Sequence, residues 1–352
     1  MLIEENKPLA PFTTFGIGGP ARWFVEAASE ADIVEAAAWA REHAQRLFVL
    51  GGGSNLLVAD TGFNGLVLHV GLRGIAVDSN KSAEWIYQAG AGEDWDLCVE
   101  RTIQDSCAGI ECLAGIPGTV GGTPVQNVGA YGQEVDSVIE RVRAFDLEKR
   151  QFVEFSKAEC GFSYRRSRFN TVERGRYIVS RVDYRLTPGG APTIRYADLQ
   201  RTLTARQTAG RELSLAEVAT VVREVRQSKG MLLVEGDPDC RSAGSFFKNP
   251  IVTEEEFERI ASASLKPPPR FPAGVANPGC IKVPAAWLIE EAGFAKGYAL
   301  GQAGVSSRHT LALINRGGAT AQEILSLASR ITDAVREKFG IPLEMEPVKL
   351  GF

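Results

Sequence analysis

Between Cys112 and Gln133 the chain runs for 22 residues without a charged side chain. A helix of that length could span a bilayer. Six glycines, two prolines, Gln126 and Asn127 interrupt the stretch, so it cannot form a regular apolar helix. It reads instead as a buried loop. An apolar, Gly-rich loop of this length leaves many backbone N–H and C=O groups to satisfy, which is costly unless a ligand covers it. Glycine is also frequent elsewhere, 37 in 352 residues, and such an excess belongs where backbone approaches a ligand or takes positive φ.

A chain of this length is too long for one ordinary core and implies two or three domains. Hydrophobic residues make up 44% and charged residues 23%, as in folded globular proteins. Lys plus Arg total 39 against 43 Asp plus Glu, a net charge of −4. That balance, without long basic runs, argues against nucleic acid as the main partner. The first eleven residues carry Glu4, Glu5 and Lys7 and no apolar core of secretory type, so a cytoplasmic location is expected. The six cysteines form no C-x-x-C pair and no zinc spacing, so they are expected to be reduced, buried thiols, with no metal site.

Local signals alternate between strand and helix. Ser29 and Asp32 predict a capping box before an apolar helix, and Leu47 to Leu50 predicts a buried strand running into Gly51-Gly52-Gly53-Ser54-Asn55. Strands are expected at 66–70, 85–89 and 178–186, and a helix at 94–105. Pro188-Gly189-Gly190 punctuates the chain. Capping boxes then recur at Ser214/Glu217, Thr253/Glu256 and Thr320/Glu323, the last opening a long helix closed by Gly340. The Pro267-Pro268-Pro269 tract with Pro272 is expected to be an exposed loop. Both halves mix α and β.

Four segments could carry chemistry. Gly51 to Asn55 offers converging backbone N–H groups and two polar side chains to an anion, but is neither a Walker motif nor G-x-G-x-x-G. Ile116 to Gly132 offers an apolar bed. A flat aromatic cofactor bearing a pyrophosphate would suit both. Cys160 to Phe169 places three arginines in four residues. Ser242 to Pro250 places a serine before two aromatics, a lysine and an asparagine. No histidine lies in these motifs to support a hydrolase triad, though a serine without such a base can still deliver a proton.

Taken in order, these segments resemble the UDP-N-acetylenolpyruvoylglucosamine reductase family. The resemblance rests on Thr13-Thr14-Phe15-Gly16-Ile17-Gly18-Gly19, the Gly-Gly-Gly-Ser-Asn loop, Ile116 to Gly132, Tyr164-Arg165, Ser242 to Pro250 and Leu343-Glu344-Met345-Glu346. It implies an α+β protein. A PCMH-type FAD-binding region of two α/β lobes would fill 1–188 (lobes about 1–72 and 73–188). A linker would fill 189–213, and a substrate-binding α+β domain 214–352 would send its last strand back to the active site. It implies noncovalent FAD, NADPH as hydride donor, a UDP-sugar substrate and a monomer. FAD would be held by Gly51, Gly52, Gly53, Ser54, Asn55, Pro117, Gly118, Gly122, Thr123, Val125, Gln126 and Ala130. Tyr131, Tyr196, Lys229 and Asn249 would bind substrate. Arg165, Ser245 and Glu346 match the family's catalytic arginine, proton-donating serine and glutamate. Related flavin oxidases often tether FAD through His or Cys, and Gly51 to Asn55 contains neither. Pro347 departs from the family pattern. Extended chain puts Glu344 and Glu346 on one face, so alternation leaves both candidates open, and only family position favours Glu346.

Overall fold

The computed structural model describes residues 1–80, 83–206, 211–274 and 277–352. The chain divides into two compact units, each assembled from three segments. Met1–Lys7, Ala21–Gly52 and Asn64–Gln227 form the first; Pro8–Pro20, Gly53–Phe63 and Ser228–Phe352 form the second.

In the first unit, Ser29 Oγ accepts from the Asp32 N–H while the Asp32 carboxylate accepts from the Ser29 N–H. This closes the expected box at the head of Glu30–Glu42. The helix buries Ile33, Ala36 and Ala40 in one core with Val25, Leu66 and Leu68, which come from a four-stranded sheet. Its order is Glu4–Pro8, Pro20–Ala27, Phe63–Val70, Leu47–Leu50. A second, antiparallel sheet runs Gln151–Ser156, Ile139–Asp146, Tyr177–Pro188, Trp85–Gly90, Ile75–Asp78. Its central strand is longer than the alternation predicted, and Val182, Tyr184 and Leu186 join the unit's core.

The helices Ala197–Arg206 and Leu215–Ser228 also belong to this unit, burying Leu199, Leu203, Val218 and Val222 in its core. The division therefore falls at Gln227/Ser228, not at 213/214. The capping box at Ser214 marks a helix start correctly, but a helix start is not a domain boundary. What decides membership is where the apolar stripe is buried.

The second unit is built around Ala321–Phe339, capped by Thr320 and Glu323 and ended by Gly340 at φ +70°. Ile324, Leu327, Ala328, Ile331 and Val335 pack with Phe246, Phe247, Phe257 and Leu288. Val348–Leu350 pairs in parallel with Leu56–Val58, so the chain's last strand is completed by a segment from near its start. The Pro-rich tract departs from a simple exposed loop. Pro268 is buried and Phe271–Pro272 pairs with Ile281–Lys282, on the sheet edge where a proline lacking its N–H is tolerated. All six cysteines are free thiols, five of them buried, and burial pushes Cys98 and Cys112 up to about 12. No helix among the described residues is long and apolar enough to cross a membrane.

Candidate active site

In the first unit the two glycine-rich segments meet backbone to backbone. A Cβ on Gly52 would lie 2.5 Å from Gly118 Cα, and one on Gly51 would lie 2.9 Å from Thr119 Oγ1. The longer loop satisfies much of its own backbone. Gly118 O accepts from the Trp95 N–H, and the Val120 and Gly121 N–H groups donate to Glu93 and Ala91. Thr119 Oγ1 is the exception, buried with no hydrogen-bond partner among the described residues. An orphaned hydroxyl costs free energy unless a ligand completes it. A close glycine cradle, that hydroxyl and the lack of any charge from Cys112 to Gln133 fit the diphosphate and flat ring of FAD.

The other expected cofactor residues are placed less uniformly. Pro117, Gly122, Gln126 and Ala130 are half-buried. Thr123 is fully buried, its hydroxyl donating to Val120 O at 2.8 Å and lying 2.6 Å from Tyr184 Oη. Its backbone is engaged too, the N–H donating to Val120 O and the C=O accepting from the Val128 N–H, both at 3.0 Å. The Val125 carbonyl accepts from Ser167 Oγ at 2.6 Å.

Arg165 is the third residue of a tight turn in which Ser163 and Arg166 exchange both backbone hydrogen bonds, at 3.0 and 2.9 Å. Its φ is +56°, a conformation that turns normally give to Gly or Asn and that costs another residue about 1–2 kcal/mol. Such an outlier is a reason to look for function. Its Nη2 donates to Gly129 O at 2.8 Å, so the guanidinium lies beside the uncharged loop. Nearby in sequence, Tyr131 stacks edge-on with Tyr196 at 5.5 Å and is hydrogen-bonded to Arg226. Burial pushes the Tyr131 hydroxyl above its ordinary pKa while Arg226 pulls it back. Burial likewise pushes Arg226 below its usual value.

The second unit holds Gly53, Ser54, Asn55, Lys229, Ser245, Asn249 and Glu346. Gly53 is required by the protein itself, because a Cβ there would sit 1.8 Å from Phe12 O at φ +61°. The strip 246–248 pairs antiparallel with 344–346: Glu346 N–H donates to Phe246 O at 2.9 Å and Lys248 N–H to Glu344 O at 2.9 Å. Ser245 immediately precedes this strip, so the segments that carry Ser245 and Glu346 run side by side. Asn55 Nδ2 donates to Glu346 O at 3.3 Å, and Asn55 O accepts from the Val348 N–H at 3.0 Å. Pro347 therefore sits inside a fixed register. Glu344 is 61% exposed and pairs with Lys248 at 2.5 Å, whereas Glu346 is half-buried. Asn249 Oδ1 accepts from the Ala285 N–H at 2.9 Å, which orients its amide. Lys229 is half-buried.

Two polar groups escaped the sequence reading. Thr119 had no signal beyond lying in the loop. Arg226 had one. It follows Val218 and Val222 at four-residue spacing, where the inward stripe calls for another apolar side chain. Its Nε donates to Gly115 O at 2.9 Å instead, placing a buried cation under the loop.

Comparison with known proteins is consistent with this arrangement. The C-terminal domain model of UDP-N-acetylenolpyruvoylglucosamine reductase matches residues 237–350, and an FAD-binding domain model matches 21–150. The reductase of that name from Streptomyces coelicolor is 45% identical over 99% of this chain and 90% of its own length. That from Mycobacterium tuberculosis is 39% identical over 99% and 95%. The crystal structure of the Thermus caldophilus reductase superposes with a TM-score of 0.66 at 27% identity, covering 99% of both chains.

Proposed function

The chain belongs to the UDP-N-acetylenolpyruvoylglucosamine reductase family, and from that premise we propose that it reduces UDP-N-acetyl-3-O-(1-carboxyvinyl)glucosamine to UDP-N-acetylmuramate, a peptidoglycan precursor, at the expense of NADPH. In the balance, the enolpyruvyl double bond gains a hydride at its terminal carbon and a proton at the neighbouring carbon, and NADP⁺ leaves. FAD, when bound, supplies the two-electron relay between nicotinamide and sugar.

The chain's own residues supply position, charge and the proton. Gly51, Gly52, Pro117, Gly118, Gly122, Gln126 and Ala130 would hold the cofactor, with Thr119 completing its buried hydroxyl on a ligand oxygen. Lys229 and Asn249 bind the UDP-sugar, and Tyr131 and Tyr196 pack against it. As hydride arrives, negative charge grows on the adjacent carbon and its carboxylate. Arg165 is the fixed cation for that charge, the kind of electrostatic contribution that is usually largest, and Glu346 is the carboxyl group assigned to the same step. Ser245 then delivers its hydroxyl proton to the carbon. Lys248 pairs with Glu344. The enzyme acts as a cytoplasmic monomer on small-molecule substrates.

The observation that carries this reading is the pairing of 246–248 with 344–346, which sets Glu346, half-buried and tied to Asn55, apart from Glu344, exposed and paired with Lys248. The test is steady-state NADPH oxidation by the purified yellow protein. It should require the enolpyruvyl sugar, and acid denaturation should release the flavin into the filtrate. Oxidation that proceeds equally with oxygen alone, or flavin that stays on the protein, would favour a tethered oxidase.

A further inference from the structure

Asn127 has no place in the chemistry above, yet it is the most constrained residue of the long loop. It is fully buried, with φ +45°. Its Nδ2 donates to Ser163 O and to Glu134 Oε2, both at 3.2 Å, and its Oδ1 accepts from the Asp136 N–H at 3.2 Å. Ser163 opens the turn that carries Arg165. Two more bonds join the same pair of segments. Ser167 Oγ, 1% exposed, donates to Val125 O, and Arg165 Nη2 donates to Gly129 O. Loop residues 125, 127 and 129 thus each hold one residue of 163–167.

We propose that Asn127 is a positioning residue: it clamps the strained 163–166 turn onto the loop and so fixes Arg165 for the reaction. This rests on the role given to Arg165 above. An arginine freed from such a clamp would relax from positive φ and regain a large side-chain entropy, roughly 2 kcal/mol. It would then meet developing charge from many positions rather than one. Asparagine suits the task because it tolerates positive φ and offers donor and acceptor on one short side chain. Glycine would accept the backbone but lacks the amide. Aspartate keeps the shape but lacks the N–H groups that reach Ser163 and Glu134.

The test uses Asn127→Asp and Ser167→Ala, each alone and combined with Arg165→Lys, in the flavin-loaded protein. Reduction of bound flavin by NADPH should stay within about twofold of wild type. Reoxidation by the enolpyruvyl sugar should slow by up to about 10²-fold, the scale of a misplaced group. In the Arg165→Lys background the same substitutions should change reoxidation by less than about threefold, because the residue they act through is already gone. Equal factors in both backgrounds, or equal losses in both half-reactions, would overturn the proposal. Amide hydrogen exchange across 163–170 should quicken in both variants, and unchanged exchange would also overturn it. If wild-type flavin is not reoxidised by the sugar at all, the functional reading falls, and the exchange result still decides whether the clamp exists. If Asn127→Asp fails to fold, Ser167→Ala carries the same cycle.

Discussion

Gly122→Ala separates the protein's needs from the cofactor's. A Cβ at this position meets no atom of the described residues within 4 Å, and its φ is not in the left-handed range. The residue ends the short turn Val120–Gly122. The folded protein should therefore lose nothing, while the unfolded chain loses freedom, a gain of about 0.4–1 kcal/mol. The flavin-free melting temperature should hold or rise by about 1–3 °C. If the turn lines the FAD site, the new methyl overpacks it at a cost of about 1–3 kcal/mol, weakening FAD by roughly 5- to 150-fold. Titration of flavin-depleted protein by fluorescence quenching, beside a thermal melt, gives both numbers. Unchanged affinity would remove the turn from the site, and a lowered melting temperature would refute the reasoning about open space. Gly53 cannot serve this purpose, since its Cβ strikes Phe12 O before it meets any ligand.

Glu344→Gln should change the reoxidation half-reaction by less than about tenfold (~1.4 kcal/mol), as an exposed pair with Lys248 contributes little. Glu346→Gln should slow it by about 10²- to 10⁴-fold in stopped-flow traces, and the reverse ranking would move the role to Glu344. Asp239 tests the second unit's stability. Burial works against its ionisation, but Ser307 and Arg308 outweigh it and hold the carboxyl below its usual range. A depressed folded value means stabilisation complete above about pH 4 and lost as pH falls through that value. Asp239→Asn should cost about 2–4 kcal/mol in urea denaturation at pH 7, and the gap from wild type should narrow below about pH 4. A gap that widens there would contradict the sign.

Much of this was readable along the chain because the signals are local. Ser29/Asp32, Thr253/Glu256 and Thr320/Glu323 form capping boxes as their spacing demands, and Trp95–Gln104 follows its Asp94 cap. What the sequence could not decide depends on partners far away in the chain. Alternation leaves Glu344 and Glu346 equivalent, and only pairing with 246–248 and the bond from Asn55 distinguish them. The Leu215–Ser228 helix shows its stripe in sequence but not which core receives it. The positive φ of Arg165 was hidden because nothing in Tyr164-Arg165-Arg166 demands it. Asn127 and Val125, some forty residues distant, tether the segment that adopts it.

The central claim is that Ser245 delivers a proton only to the sugar. The most direct measurement compares the two half-reactions of Ser245→Ala by anaerobic stopped flow. Reduction of bound flavin by NADPH should remain near the wild-type rate, because no step there uses the hydroxyl. Reoxidation by the enolpyruvyl sugar should fall by roughly 10²- to 10⁴-fold, the scale of a lost general acid. Equal losses in both halves, or none in the second, would contradict the account.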